Sequence, residues 1–197
     1  MDAVSALIGK IVFALGIIGW YVIRYPFERK AKRVRVVGDS RSLSERIGLW
    51  SATAGLGVIP LIYVVTGFPR AADYPAQPWA VAIGTVIYPL ALWLFRRSHK
   101  DLGKNWSITL EIRDQHRVVS NGVYARVRHP MYSAFWLMGL GQAFLLANWF
   151  AGLAGLAGFA VLFFLRVDEE ERMMLRTFGE EYRAYMGRTK RIIPYVY

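Results

Sequence analysis

The sequence predicts an all-α integral membrane protein with five transmembrane helices, an ordered cytoplasmic loop and a C-terminal amphipathic helix. Three observations carry this expectation. Hydrophobic residues make up 55% of the 197, and seven Trp are among them, which is more than an ordinary soluble domain holds. Residues 3–23, 47–68, 79–95 and 130–165 are each nearly free of charge, and roughly 20 apolar residues span a bilayer. Basic residues crowd some of the segments between these runs and are scarce in others.

The run 130–165 would form a helix of about 54 Å at ~1.5 Å per residue, far beyond a hydrocarbon core of about 30 Å. It must therefore be two helices. The bend is expected at Ala147-Asn148-Trp149, where Asn148 favours a turn and Trp149 suits the membrane interface. Orientation follows from Lys and Arg, which stay on the cytoplasmic side of the spans they flank. Residues 24–46 hold eight (Arg24, Arg29, Lys30, Lys32, Arg33, Arg35, Arg41, Arg46) and 96–129 another eight, whereas 69–78 hold only Arg70. The N-terminus is thus expected outside and the C-terminus inside, with seven more basic residues from Arg166 to Arg191 on that inner side. A net charge of +11 arranged beside the spans fits anionic lipid headgroups, and without a groove-reading motif it gives no expectation of nucleic acid. There is no Cys, which excludes disulfides, thiolate metal sites and a Cys nucleophile, and no metal site is assigned. The first run lacks a basic leader and a cleavage site, and is expected to be a retained helix, not a signal peptide.

Residues 1–197 read as one membrane-embedded domain, with three helices in 1–95 and a second half in 96–197. Helix 1, about residues 3–24, carries Lys10 close enough to its outer end to snorkel. Gly38-Asp39-Ser40 reads as a turn, and Ser44-Glu45 as the start of helix 2, about residues 47–67, which Pro60 should kink. Pro69, Pro75 and Pro78 mark the outer loop, and Pro89 a second kink in helix 3. Small residues such as Gly55, Gly139, Gly155 and Gly158 allow close helix packing. Between Arg96 and Arg128 the apolar residues Trp106, Ile108, Leu110 and Ile112 alternate as in an extended stretch, and Ser120-Asn121-Gly122 signals a turn. In the C-terminal segment Val167, Met174, Phe178, Tyr182 and Tyr185 fall on one helical stripe, with Glu169, Arg172, Arg176, Glu180 and Arg183 opposite. Glu170 and Glu171 flank the apolar stripe, where a carboxylate needs a cationic or donor partner.

Two features then face the same compartment: Tyr124 to Tyr132 entering the fourth helix, and Arg166 to Glu171 leaving the fifth. A tight hairpin brings them together at the membrane edge. Each has a bland alternative, Arg128 as a positive-inside anchor, Pro130 as a first-turn residue, Tyr132 in an aromatic belt, and Asp168 with Glu171 as a capping pair. Those alternatives leave Glu170, His129 and the long loop unexplained. A Glu, a His, aromatics and an Arg in one pocket suit a cationic ligand with amine and carboxylate groups, such as S-adenosylmethionine.

The blocks LGKNW, HRVVSNGVYARVRHPMY, GLGQAFLLAN and EERMMLRTFGEEYRAY, with Arg188 and Pro194 after them, closely resemble the isoprenylcysteine carboxyl methyltransferases and their prokaryotic relatives. The resemblance covers about residues 99–194. It implies an S-adenosylmethionine-dependent carboxyl O-methyltransferase, giving S-adenosylhomocysteine as product and acting on a lipophilic or lipid-modified, isoprenylcysteine-like substrate. By matching motif it implies a cofactor-binding cytoplasmic loop with His116, Arg117, Val118, Val119 and Tyr124, then His129, Pro130, Met131 and Tyr132, and Glu170 with Glu171. Glu111 resembles a Gln position before this block. Arg166 matches the arginine for the substrate carboxylate, and Arg188 joins it in substrate binding. Met174 departs from a usual Leu, and Arg117-Val118 from Thr-Leu. Two other functions remain open: a methyltransferase acting on phospholipid amines, and a non-catalytic membrane scaffold or lipid-binding protein.

Overall fold

The structure is a computed structural model and describes residues 2–31, 36–39, 43–103, 106, 111–113 and 117–197. Its long helices are α1 (Asp2–Ala31), α2 (Leu43–Thr53) running through one widened π turn (Ala54–Val58) into α3 (Ile59–Thr66), then α4 (Pro78–Leu102), α5 (Pro130–Leu145) and α6 (Trp149–Phe178). Along α1 the residues Val4, Leu7, Ile11, Leu15, Ile18 and Val22 recur at three- and four-residue spacing and are all exposed, while Phe13 is fully buried. An apolar stripe left outside belongs against lipid, not water. Four helical stretches, α1, α2–α3, α4 and α6, are long and apolar enough to cross a membrane. The chain is a multi-pass integral membrane protein. Helix α5 is shorter at 16 residues, about 24 Å of rise.

Local chemistry explains where the helices bend and stop. Pro60 has no N–H and its ring crowds the carbonyl of the preceding turn, and the helix answers with the π turn just before it. Gln142 Nε2 on α5 donates to the carbonyl of Gly55 within that turn at 3.0 Å. Here the backbones of α2–α3 and α6 touch: a Cβ on Gly55 would lie 2.1 Å from the Ala154 carbonyl oxygen, and one on Gly158 2.3 Å from that of Ser51. Asn148 makes the expected turn between α5 and α6. Its Oδ1 accepts from Ala151 N at 2.8 Å, capping α6, while its Nδ2 donates to Asp73 Oδ1 at 2.7 Å and to Pro69 O at 2.8 Å. Lys10 lies over the Tyr63 ring, 4.5 Å from its centroid.

Two details differ from expectation. Helix α6 runs on unbroken to Phe178, so the expected amphipathic helix is its continuation. Gly179, at φ +53°, ends it and starts a separate α7 (Glu180–Arg188). The stripe itself holds, with Val167, Tyr182 and Tyr185 buried. Gly38 and Asp39, expected in a turn, lie in a short strand β1 (Val36–Asp39) paired antiparallel with β2 (Glu111–Arg113), with a register shift between Val36 and Gly38. Ile108 and Leu110 lie outside the described residues.

The two ends of the bundle are distinct. At one, the Asn148 turn meets the loop before α4, where Tyr74 N also donates to Ala147 O at 3.1 Å. At the other, Phe27 packs on His99 at 4.9 Å and the Arg24 guanidinium stands 5.5 Å from the Trp106 ring. Among the described residues, Arg24, Arg97, Arg128 and Arg166 lie at this second end.

Candidate functional site

At that end α5 begins and the lower half of α6 continues. Glu170 and Glu171 are neighbours on α6, about 100° apart around its axis, and the structure uses them differently. Glu171 is buried, its side chain 4% exposed. Its Oε1 accepts from Arg128 Nε at 2.9 Å and faces His129 Nε2 at 3.1 Å, and its Oε2 accepts from Arg191 Nη2 at 2.8 Å and Nε at 3.2 Å. Arg191 also donates to Asp168 Oδ1 at 2.6 Å. Burial would lower the pKa of Arg191, but its bonds to Tyr197, Glu171 and Asp168 hold it above the ordinary value. Arg128 reaches the carbonyls of Met186, at 3.3 Å, and Thr189. The backbone completes this clasp: Arg128 N donates to Lys190 O at 2.7 Å, His129 N to Arg191 O at 2.8 Å, and Ser133 Oγ to Ile192 O at 2.6 Å. Arg128 is thus a tie between the start of α5 and the tail beyond α7.

Glu170 is more open, its side chain 29% exposed. Tyr132 Oη donates to its Oε2, His129 Nδ1 lies 3.8 Å from its Oε1, and Arg166 Nε is 3.5 Å from its Oε2. The His129 and Tyr132 rings stack at 5.2 Å between centroids, 12° from parallel. Tyr124 is buried in a 3₁₀ turn (Gly122–Ala125), whose Val123 N donates to Asp101 Oδ2 at 3.0 Å, and Tyr185 Oη donates to Tyr124 O at 2.7 Å. Burial, with Glu170, Tyr185 and Asp101 adding, holds the Tyr124 phenol well above its ordinary pKa.

Beside this polar group lies an apolar cavity of about 470 Å³ between α1, α2–α3, α4, α5 and α6. Trp20, Leu49, Tyr88, Phe135 and Phe159 are among its walls, and Arg24 and Arg166 bring positive charge to it. Met131 and Tyr132 also line it, so Tyr132 stands between the cavity and Glu170. Arg166 is buried and lies with Nη1 3.3 Å from Glu45 Oε1 on α2. Most of the lining is apolar, and the volume falls in the range of small-molecule pockets.

Of the residues singled out in the sequence, Tyr124, His129, Pro130, Met131, Tyr132, Arg166, Glu170 and Glu171 come together here. Val118 and Val119 are half-buried and Arg117 is exposed in the stretch leading to Tyr124. Arg188 is exposed at the last position of α7 and does not line the cavity. His116 lies outside the described residues, as does the side chain of Glu111. Sequence reasoning missed Glu45 and Arg191 as partners of site residues. The signal for Glu45 was a charge at the head of an apolar helical face.

Residues 82–176 match the isoprenylcysteine carboxyl methyltransferase family. Among curated proteins the chain is similar to the "Probable protein-S-isoprenylcysteine O-methyltransferase" of Oryza sativa subsp. indica, 31% identical over 116 residues, 59% of this chain and 58% of that protein. It is 29% identical over 120 residues to the mouse protein-S-isoprenylcysteine O-methyltransferase, covering 60% of this chain and 42% of that one. With the Xenopus laevis protein of the same name it shares 27% over 185 residues, 90% of this chain and 64% of the relative. The chain therefore spans between 42% and 64% of the length of these relatives. The similarity to the isoprenylcysteine carboxyl methyltransferase family thus rests on residues 82–176, a little under half of the chain, and on these partly covered relatives.

Proposed function

We propose that the protein transfers a methyl group from S-adenosylmethionine to the carboxylate of a lipophilic, isoprenylcysteine-like acceptor. The observation that carries this reading is the junction at Tyr132, whose ring lines the apolar cavity while its hydroxyl binds Glu170. One residue thus borders a lipid-sized space on one side and an anionic, aromatic pocket on the other.

The pocket fits a ligand carrying cations. Glu170 offers a partly exposed carboxylate, and the buried Tyr124 and the stacked His129 and Tyr132 offer aromatic faces. Glu170 would pair the donor's ammonium, Tyr124 or Tyr132 would face its sulfonium, and Arg117, Val118, Val119, Pro130 and Met131 would border it, with Glu111 and His116 assigned by motif alone. When bound, S-adenosylmethionine supplies an electrophilic methyl group on a positively charged sulfur. Arg166 holds the acceptor carboxylate by its planar fork at the edge of the cavity. A carboxylate with a reference pKa near 4 is already ionised at neutral pH, so the site needs no general base. The donor would supply the methyl group to this oxygen and its sulfur would take the bonding electron pair on leaving, so the chain's own residues would have no proton to move. What remains for the protein is positioning, which can contribute on the order of 7–11 kcal/mol at best.

The same proposal has the whole chain act as one membrane domain, with α5 a fifth, short traverse beside α6. The N-terminus and the Asn148 turn lie outside, and the basic end with the pocket lies in the cytoplasm. The acceptor's tail enters sideways from the lipid. Isothermal titration of the detergent-purified protein with S-adenosylhomocysteine tests the donor pocket before any acceptor is known. Wild type should bind and Glu170→Ala should lose binding. A folded wild-type protein that does not bind refutes the transferase reading in favour of a scaffold.

A further inference from the structure

Beyond α7 the tail closes into a small loop. Ile192 N and Ile193 N both donate to Tyr197 O at 2.7 Å, and Tyr197 N donates to Ile193 O at 3.1 Å, so residues 192–197 form a hydrogen-bonded turn. One side of it is tied down. Ile192 packs on the core cluster that holds Tyr132, Phe159 and Phe163, and its carbonyl accepts from Ser133 on α5. The other side holds apolar groups outward: Tyr195 is 92% exposed, Val196 71% and Ile193 50%. Single exposed apolar residues are ordinary on a surface, whereas three in one closed turn make a patch that marks an interaction surface.

The place of the loop identifies what covers it. Arg191, just before the turn, donates to Asp168 on α6 at 2.6 Å. Asp168 follows Val161, Phe164 and Leu165 at seven-, four- and three-residue spacing, and all three are exposed on a helix apolar enough to cross a membrane. Helix α6 begins at Trp149, so Asp168 lies about 28 Å along it, near the ~30 Å thickness of a hydrocarbon core. The loop therefore sits beside the lipid-facing row where hydrocarbon gives way to headgroups. It stands apart from the cavity, since the described residues 188–197 line no part of it. Charge agrees with position. Residues 182–197 contain Arg183, Arg188, Lys190 and Arg191 and no Asp or Glu. Arg183 pairs with Glu180, and Arg191 with Asp168 and Glu171. Arg188 and Lys190 are exposed and have no acidic partner among the described residues. A Tyr with an apolar ring and a polar tip suits the interface, and cations beside it attract phosphate headgroups.

We propose that residues 188–197 are a lipid-surface anchor: the turn seats Ile193, Tyr195 and Val196 in the bilayer interface, while Arg188 and Lys190 hold anionic phospholipid headgroups around it. This holds whatever the site transfers. The chain has no Cys, so Tyr195→Cys labelled with the fluorophore NBD carries a single probe. Arg176→Cys, about 40 Å along α6 and so beyond the hydrocarbon core, carries the control. Both full-length proteins are placed in nanodiscs of phosphatidylglycerol and phosphatidylcholine. Nitroxide-labelled lipid should quench the probe at 195 strongly and that at 176 weakly, and aqueous iodide should do the reverse. With the nitroxide carried on one lipid at a time, quenching at 195 should show phosphatidylglycerol preferred by about fivefold or more, the effect of one basic residue near a charged surface. Arg188→Gln with Lys190→Gln should bring that preference near one. A 195 probe that iodide quenches as readily as the 176 probe overturns the anchor. Protection found only in nanodiscs holding two copies overturns it in favour of a contact between copies, and a preference unchanged in the double variant overturns the role of the two cations. Val196→Cys gives the same reading one residue on, so a disturbance at one labelled position leaves the test standing.

Discussion

Glu170 and Glu171 are adjacent, and the structure predicts opposite consequences for the same substitution at each. Glu171→Gln keeps the volume and removes a charge that meets Arg128, His129 and both Nε and Nη2 of Arg191. An amide has one acceptor oxygen and turns its NH₂ toward one of the guanidinium groups. Removing one partner of a buried ion pair costs about 3–5 kcal/mol. Arg191 is 25% exposed and can turn partly to water, which places the loss at the low end, about 3 kcal/mol. In a chain of this size ~1 kcal/mol shifts Tm by about 2–4 °C, so the melting temperature should fall by about 6–12 °C. Glu170→Gln touches a side chain that is 29% exposed, and should melt within about 2 °C of wild type. Its loss should instead be in S-adenosylhomocysteine affinity. Tryptophan-fluorescence melts in detergent, run beside titration calorimetry on the same samples, measure both. A Glu171→Gln protein that melts with wild type, or a Glu170→Gln protein destabilised as much, refutes the division between clasp and pocket.

Arg166→Lys keeps the charge and loses the planar fork, so methyl transfer should fall by about 100-fold while S-adenosylhomocysteine binding holds within about twofold; equal losses in both would make Arg166 a donor-site residue. A carboxylate acceptor is ionised throughout the neutral range, so the rate of transfer should be flat from about pH 6 to 9. A steep rise in that window would favour an amine acceptor. Burial raises the pKa of the Tyr124, Tyr182 and Tyr185 phenols above their ordinary value. In the unfolded chain these groups ionise near pH ~10, so stability should be steady below that value and fall as pH rises past it. Chemical unfolding at stepped pH checks the direction, and Tyr182→Phe should soften the fall. Asn148→Ala removes the α6 cap and two bonds to the opposite loop, and should cost about 2 kcal/mol in the same unfolding assay.

What the sequence revealed was mostly local. Asn148 announced a turn because its side chain can cap the helix that follows, and the bundle needs that turn where a single helix would be too long. The spacing of Val167, Tyr182 and Tyr185 announced a buried stripe, though not the break at Gly179, whose positive φ is a property of the folded backbone. Pro60 announced a distortion, but its form as a π turn depends on Gln142 and the close approach of α6. Residues 36–39 carry a Gly and an Asp in four positions, and their strand exists through pairing with 111–113 far along the chain. The site divides in the same way. His129, Tyr132 and Glu170 stand in motif blocks visible in the sequence, whereas the ion pairs of Glu171 depend on a tail that folds back to place Arg191. Glu45 reads as a helix start until Arg166 is set beside it.

The cavity has two owners. Ile17, Trp20, Arg24, Leu49, Leu56 and Leu61, all before the matched residues 82–176, form one side, while Met131, Tyr132, Phe159 and Arg166 within them form the other. Substitutions in α1 to α3 can therefore lengthen, narrow or re-charge this cavity without touching the clasp around Glu171 or the ring pair at His129. On the proposed reading, the room for an acceptor's tail can therefore change shape in three helices while the polar group around Glu170 stays as it is.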